Sequence, residues 1–397
     1  MSTQSTAPAP GSQTRTVAER LSAGEPYVLA FGGQATPWRS ALEGLVGLDG
    51  DLAGELAAVD RAVADLLAPV ATDLLTITPR GARLLDDGAV PVAPAGAGGE
   101  GADVSVPGIL MAQHAVLACL PGAGVDVRAT APTSVIGHSQ GVLGVALLEA
   151  MARPGEEGRR AVIGVHALAR LIGAAAARAT RRLDLGPAGR ATPMLSVRGV
   201  TREVLDAVLE SVPGAERIAL GVTNGRRAHT LSGRPADLER VVTALEAAAA
   251  RSARARKERR RGGAVLAPVT EYLATSVPFH TPLLEGAVDD VVAWARTAGL
   301  DEDLARDLAA AVLIDPVDWP ELVHRALEAD PRPRLVLDLG PGTVLTRLTE
   351  AVVAGTGVGV VPAGTAAAVD DLDRPGAGVR PAVDRSRFAP GLTRLPD

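Results

Sequence analysis

The sequence predicts an α/β protein of two lobes, a large one on a strand-rich core and a small one inserted into it. Three observations carry that expectation. Tyr27-Val28-Leu29-Ala30-Phe31 is a short apolar strand that runs into Gly32-Gly33-Gln34 and then a helical region over 37–78. Gly137-His138-Ser139-Gln140-Gly141 stands between Val135-Ile136 and the apolar run 142–148, which reads as strand, sharp turn, helix. After Pro193 the pattern becomes strand, helix, strand, strand, helix, strand, the order of the ferredoxin-like split unit. The expected fold is therefore an α/β-hydrolase-like large lobe with an inserted ferredoxin-like small lobe.

Each element follows in order. Residues 1–24 read as a disordered leader rich in Ser, Thr, Pro and Ala. The first part of the large lobe covers 25–190. It contains the strand at 27–31, the helices of 37–78, and a Gly-, Ala- and Pro-rich loop over 84–106. A buried helix follows over 108–119, then a strand at 133–136 and helices around 142–152 and 159–182, with a turn at 153–158. The small lobe covers 191–275. Its strands are expected at 194–198, 218–223, 228–232 and 266–274, and its helices at 201–209 and 234–250. Asn224-Gly225 is the expected hairpin turn. The large lobe resumes over 276–364 with Val277-Pro278-Phe279-His280, a helix at 283–297 and a strand at 335–339. Residues 365–397 lose periodicity and resemble a linker.

Composition narrows the function. The chain has 397 residues, 47% of them hydrophobic, enough for a large core in more than one domain. Net charge is −6 and Lys257 is the only lysine, a poor match to general nucleic-acid binding. The basic run from Arg251 to Arg261 reads as a solvated stretch, or as a landing patch for an acidic partner or CoA phosphates. Cys119 is the single cysteine, so neither a disulfide framework nor a cysteine zinc site is expected, and it reads as a buried small hydrophobe. No metal is expected. No signal peptide and no apolar run near ~20 residues are read, so the expected location is cytoplasmic, without a membrane.

A serine hydroxyl needs a base within reach and an oxyanion hole before it is a useful nucleophile. The glycines of the 137–141 pentapeptide permit the sharp turn that would lift Ser139 clear of the sheet. Six histidines could supply the base: His114, His138, His166, His229, His280 and His324. His114 and His166 fall in expected helices and His229 in an expected strand. His280 lies on a connecting segment between Phe279 and Thr281-Pro282, where functional groups concentrate. Position alone leaves it a candidate among the six.

Four segments, in this order, resemble the acyl-CoA:acyl-carrier-protein transacylases of fatty acid and polyketide synthases. They are Phe31-Gly32-Gly33-Gln34, Gly137 to Gly141, Val277 to Leu284, and Asp338-Leu339-Gly340-Pro341-Gly342-Thr343-Val344-Leu345, with Pro316-Val317-Asp318-Trp319 also fitting. The resemblance covers residues 26–362. Gln140 after the serine most resembles the acetyl-transferring domain of type I fatty acid synthases. The resemblance implies Ser139 as acyl acceptor, His280 as general base and then acid, and the backbone N–H groups of Gln34 and Gln140 as the oxyanion hole. It implies that a backbone carbonyl orients the histidine, so Gly340 to Thr343 are expected near His280. Asn224 and His138 are implied to lie at the substrate.

Malonyl-transferring members carry an arginine on the helix after the elbow that pairs with the malonyl carboxylate. Aligning Arg170-Leu171-Ile172-Gly173 to that helix places Ile172 at the arginine position. An isoleucine suits a short, neutral acyl group. The implied substrates are acetyl-CoA and the phosphopantetheine of an acyl carrier protein, with no bound cofactor and other synthase domains as neighbours. The alternatives are a malonyl transferase using Arg170, a serine hydrolase or thioesterase with an acidic orienter, and a catalytically silent carrier-docking module.

Overall fold

A computed structural model describes residues 15–34, 36–78, 83–85, 101–259, 266–375 and 380–381. The chain opens with helix α1 (Val17–Ser22), started by a capping box in which Thr16 and Glu19 each accept the other's backbone N–H. Strand β1 (Tyr27–Phe31) follows, buried throughout as a central parallel strand must be. Next come α2 (Trp38–Val46), α3 (Leu52–Leu66), α4 (Ala71–Leu75), α5 (Ala102–Cys119) and α6 (Val127–Thr130). Strand β2 (Ser134–Gly137) leads through a 3-10 turn at Ser139–Gly141 into α7 (Val142–Ala152) and the long α8 (Gly155–Arg182).

The small lobe contains β3 (Met194–Arg198), α9 (Arg202–Glu210), β4 (Ala219–Gly225), β5 (Ala228–Ser232), α10 (Pro235–Arg259) and β6 (Val269–Tyr272). Then follow α11 (Glu285–Thr297), α12 (Glu302–Leu313), β7 (Val317–Asp318), α13 (Trp319–Ala326), β8 (Leu335–Asp338), α14 (Val344–Val353), β9 (Gly359–Pro362), α15 (Ala366–Asp370) and β10 (Arg380–Pro381).

The large-lobe sheet has the order β10-β9-β8-β1-β2, parallel except for β10. The second sheet has the order β6-β3-β5-β4-β7. Its first four strands are antiparallel, and β7 adds in parallel to β4. That is the ferredoxin-like arrangement with one strand borrowed from the returning large lobe. The expected fold class is therefore observed. A separate apolar cluster of Leu195, Val197, Leu205, Leu231, Leu238 and Leu245 fills the small lobe. Helices α5 and α8 pack closely at Gly173, where a Cβ would lie 2.4 Å from the Ala102 carbonyl oxygen.

Several expectations are corrected. The leader was expected to be disordered through residue 24, yet Val17, Ala18 and Leu21 of α1 are buried in the main core; residues 1–14 lie outside the described residues. The expected loop over 84–106 ends earlier, because α5 starts at Ala102. The hairpin turns at Arg226-Arg227, which leaves Asn224 inside β4. Helix α10 continues through the basic run as far as Arg259, since Ala and Arg are good helix formers. The linker-like stretch after 365 begins with α15, and Val369 and Leu372 are buried against the core. Helices α5, extended to Ala123, and α8 are apolar and long enough to cross a membrane, contrary to expectation. Their most apolar windows are 83% and 72% buried inside the fold, so that surface is used in the core. Cys119 is buried, as expected.

Candidate active site

The site is assembled at the ends of β1 and β2, which pair in parallel with Phe31 beside Gly137. The chain leaving β2 turns so sharply that Ser139 takes φ = 55°, a left-handed conformation uncommon for a residue with a side chain. The flanking glycines are sterically required. A Cβ at Gly137 would meet Val142 N at 2.4 Å, and one at Gly141 would meet the Phe31 carbonyl oxygen at 2.2 Å. These contacts hold the elbow against β1.

Ser139 Oγ lies 2.6 Å from His280 Nε2. His280 also has a positive φ, 59°, and sits just before the short helical turn Pro282–Leu284. The small lobe supports it from behind. A Cβ at Gly221 of β4 would be 2.9 Å from His280 Cβ, and Ser232 of β5 donates to the Phe279 carbonyl at 2.5 Å. His280 is 2% exposed.

The other ring nitrogen, Nδ1, is 2.6 Å from the Asp315 carbonyl oxygen. A carbonyl only accepts, so Nδ1 carries the proton and Nε2 presents its lone pair to the serine hydroxyl. Burial pushes the His280 pKa down to about 4, opposed by the Asp315 hydrogen bond and assisted by nearby His138. The ring is thus neutral at pH 7 and able to accept a proton.

The orienting carbonyl was expected from the Gly340 to Thr343 segment, and that expectation is corrected. Strand β8 neighbours β1 on the side away from β2, with Ala30 opposite Asp338. The segment after β8 therefore lies beside the loop after β1. The Gly340 carbonyl accepts from Gly32 N–H at 2.9 Å and from Gln113 Nε2 at 3.2 Å. Gln113 Nε2 also reaches the Gly32 carbonyl at 2.7 Å. Asp338 fixes this turn by accepting from Gly340 N–H at 2.8 Å and Thr346 Oγ1 at 2.5 Å. Burial raises the Asp338 pKa to about 6, an effect its hydrogen bonds oppose.

That bracing places the Gly32-Gly33-Gln34 loop directly on the elbow. A Cβ at Gly33 would be 2.7 Å from the His138 carbonyl oxygen, 3.0 Å from Ser139 Cβ and 3.2 Å from Gln140 N. Gln34 and Gln140 are thus neighbours across the serine. Their side chains form a relay. Gln34 Nε2 donates to Gln140 Oε1 at 2.7 Å, and Gln140 Nε2 donates to the Val106 carbonyl of α5 at 2.5 Å.

His138 Nε2 is 2.7 Å from Asn224 Oδ1, so the elbow and strand β4 are joined by a hydrogen bond between lobes. The His138 ring meets Trp319 edge-on, with centroids 5.3 Å apart. Burial lowers the His138 pKa, and the Asn224 hydrogen bond opposes the shift. Ile172 is fully buried within α8. Arg170, two residues earlier on α8, pairs with buried Asp60 at 2.7 Å, and Asp60 also accepts from the backbone N–H groups of Leu84 and Leu85. His114 and His166 are brought together elsewhere, Nδ1 to Nε2 at 3.0 Å between α5 and α8. His229 is buried in β5 and His324 lies on α13.

Sequence reasoning missed Asp315, whose role uses only a backbone oxygen and leaves no mark on residue type. It also missed Gln113, although a lone amide inside the apolar run 108–120 is a visible irregularity. Among the described residues no group of three or more His, Cys, Asp or Glu converges as a metal site.

Residues 193–272 match the family described as the fatty acid synthase central AT domain. Over an alignment of 199 positions that takes in 43% of the chain, the sequence is 29% identical to the fatty acid synthase beta subunit aflB of Emericella nidulans, of which it covers only 9%. The fold is similar to malonyl-CoA:acyl carrier protein transacylase (FabD) of Xanthomonas oryzae, with a TM-score of 0.59, 21% identity, and coverage of 90% of this chain and 99% of that one. It is also similar to a type II polyketide synthase malonyl-transacylase solved with its acyl-carrier protein, with a TM-score of 0.55, 17% identity, and coverage of 87% and 97%. The small-lobe segment 193–272 is thus similar to the fatty acid synthase central AT domain, in a chain whose fold is similar to that of malonyl transacylases.

Proposed function

We propose that this chain moves a short, uncharged acyl group, acetyl in the first instance, from CoA to the phosphopantetheine thiol of an acyl carrier protein. The carrying observation is the 2.6 Å contact between Ser139 Oγ, on a strained elbow, and a neutral His280 whose other nitrogen is held by the Asp315 carbonyl. In this reading His280 Nε2 takes the Ser139 proton as Oγ attacks the acyl-CoA thioester carbonyl. The oxyanion forms between the backbone N–H groups of Gln34 and Gln140, each contributing about 3 kcal/mol to the barrier reduction. His280 returns the proton to the departing CoA sulfur. The pantetheine thiol then gives its proton to His280 and attacks the acyl-serine, which regenerates Ser139.

Two observations favour an uncharged cargo. The nearest arginine on α8, Arg170, already has a carboxylate partner in Asp60. Ile172 offers no charge to a malonyl group. An acidic orienter, the mark of the hydrolase alternative, is replaced at His280 Nδ1 by the Asp315 carbonyl. Within this reading the chain works in a fatty acid synthase, in the cytoplasm, delivering the primer for chain growth.

Incubation with acetyl-CoA and a holo carrier protein tests the proposal. The expected product is acetyl-carrier protein, with acetyl favoured over malonyl. Release of free acetate without carrier acylation would establish a hydrolase instead, malonyl loading in preference to acetyl would overturn the cargo, and no turnover would leave only a docking role.

A further inference from the structure

A second concave site lies on the large lobe, at the end of α7 remote from Ser139. It encloses about 640 Å³, within the ~300–1,000 Å³ range of small-molecule sites. One wall is apolar, from Val59 and Ala62 of α3, Met151 of α7, and Val162 and Ile163 of α8. The lining also includes Arg128, Arg153 and Arg159, with Glu55 as its acidic residue. His114 closes the floor. Burial holds its pKa near 4, so it is uncharged at pH 7.

The arginines are available to a ligand. Arg128 has no carboxylate partner among the described residues. Arg153 and Arg159 meet Glu157 and Glu156 at only 3.8 and 3.9 Å, with all four side chains more than half exposed. Such pairs contribute little, so a better-placed anion can displace them. The first turn of α8, at Gly155 and Gly158, also lines the cavity, and its N-cap Pro154 makes no side-chain cap.

An apolar wall beside three arginines describes an amphipathic anion. We infer that this cavity binds a fatty carboxylate, with the chain along α3, α7 and α8 and the carboxylate on Arg128, Arg153 and Arg159. Guanidinium forks match a carboxylate bidentately. Helix α7, about 16 Å long, runs from the elbow to Met151 at the cavity, so the cavity and Ser139 lie at opposite ends of it. An occupant touches the opening turns of α8, the helix that later carries Arg170 and Ile172.

Isothermal titration of the full chain with laurate at pH 7.5 tests the inference, with dodecanol as the uncharged control. Laurate should bind one-to-one. R153A/R159A should weaken it tenfold or more, and Ala62→Trp, which fills the cavity, should do the same while retaining the wild-type circular dichroism spectrum. Absent laurate binding, equal binding of dodecanol, or undiminished binding by both variants would overturn it. Binding is read directly, so the outcome is independent of whether Ser139 transfers acyl groups.

Discussion

The most quantitative consequence of the site concerns the proton affinity of His280. An ordinary histidine has a pKa of 6.5, and burial moves this one to about 4. At 1.36 kcal/mol per unit, the enclosed site disfavours the charged ring by about 3 kcal/mol. At pH 6.0 an unperturbed ring would be only about one-quarter neutral, whereas a pKa near 4 keeps it ~99% neutral. The perturbation is therefore a drop from pH 7.5 to 6.0. The assay is the burst of CoA released when excess chain meets acetyl-CoA in a stopped-flow instrument, with circular dichroism recorded at both values. The burst rate constant at pH 6.0 should stay within about 10% of that at pH 7.5 if His280 is the base. A fall to about one-quarter, with the fold intact, would refute the argument that burial sets this proton affinity.

Four further outcomes follow from the packing. His114 and His280 are both held near pKa 4 by burial, and His138 and His166 are shifted in the same direction. Folded pKa values below the unfolded 6.5 mean that stability is full above pH 6.5 and falls below it. At pH 5.5 the first two together should cost about 3 kcal/mol, offset by about 1 kcal/mol from Asp338, whose raised pKa acts the other way. Urea midpoints at pH 7.5 and 5.5 measure this, and equal midpoints would contradict it. Gly33→Ala forces a Cβ to within 2.7 Å of the His138 carbonyl oxygen. It should lower kcat about 100-fold by displacing the Gln34 N–H, and wild-type turnover would remove Gln34 from the oxyanion hole. Ile172→Arg should raise the ratio of malonyl to acetyl loading, and an unchanged ratio would separate Ile172 from the cargo. In contrast, Arg170→Leu should act on stability, by about 2 kcal/mol in urea unfolding, because it removes the closest cationic partner of the buried Asp60 carboxylate and leaves it Arg83 at 3.6 Å and the Leu84 and Leu85 N–H groups.

How much was legible in the sequence depended on whether a residue's role uses its side chain. The elbow was readable because only glycine fits at Gly137 and Gly141, and the turn needs both. His280 was readable from its segment and from the family pattern. The strands at 27–31 and 194–198 were placed to the residue, since short apolar runs bounded by Gly or Pro have few alternatives. The Asp315 carbonyl left no trace in the sequence. The shift of the Gly340 segment from His280 to the Gly32 loop followed from strand order, which pairs β8 with β1 and not β2. The α1 helix was hidden because it is six residues long and follows a Ser-, Thr-, Pro- and Ala-rich stretch, so that only the tertiary burial of Val17 and Leu21 sets it apart. Similarly, Arg170 looked like a potential ligand for substrate until Asp60, 110 residues earlier, was seen to pair with it.

The central claim is that Ser139 carries the acyl group between donor and carrier. Tandem mass spectrometry of the chain after brief exposure to acetyl-CoA tests it most directly. The account predicts a single acetyl group on Ser139, absent from Ser139→Ala and discharged when holo carrier protein is added. Acetylation at another residue, or equal labelling of Ser139→Ala, would contradict it.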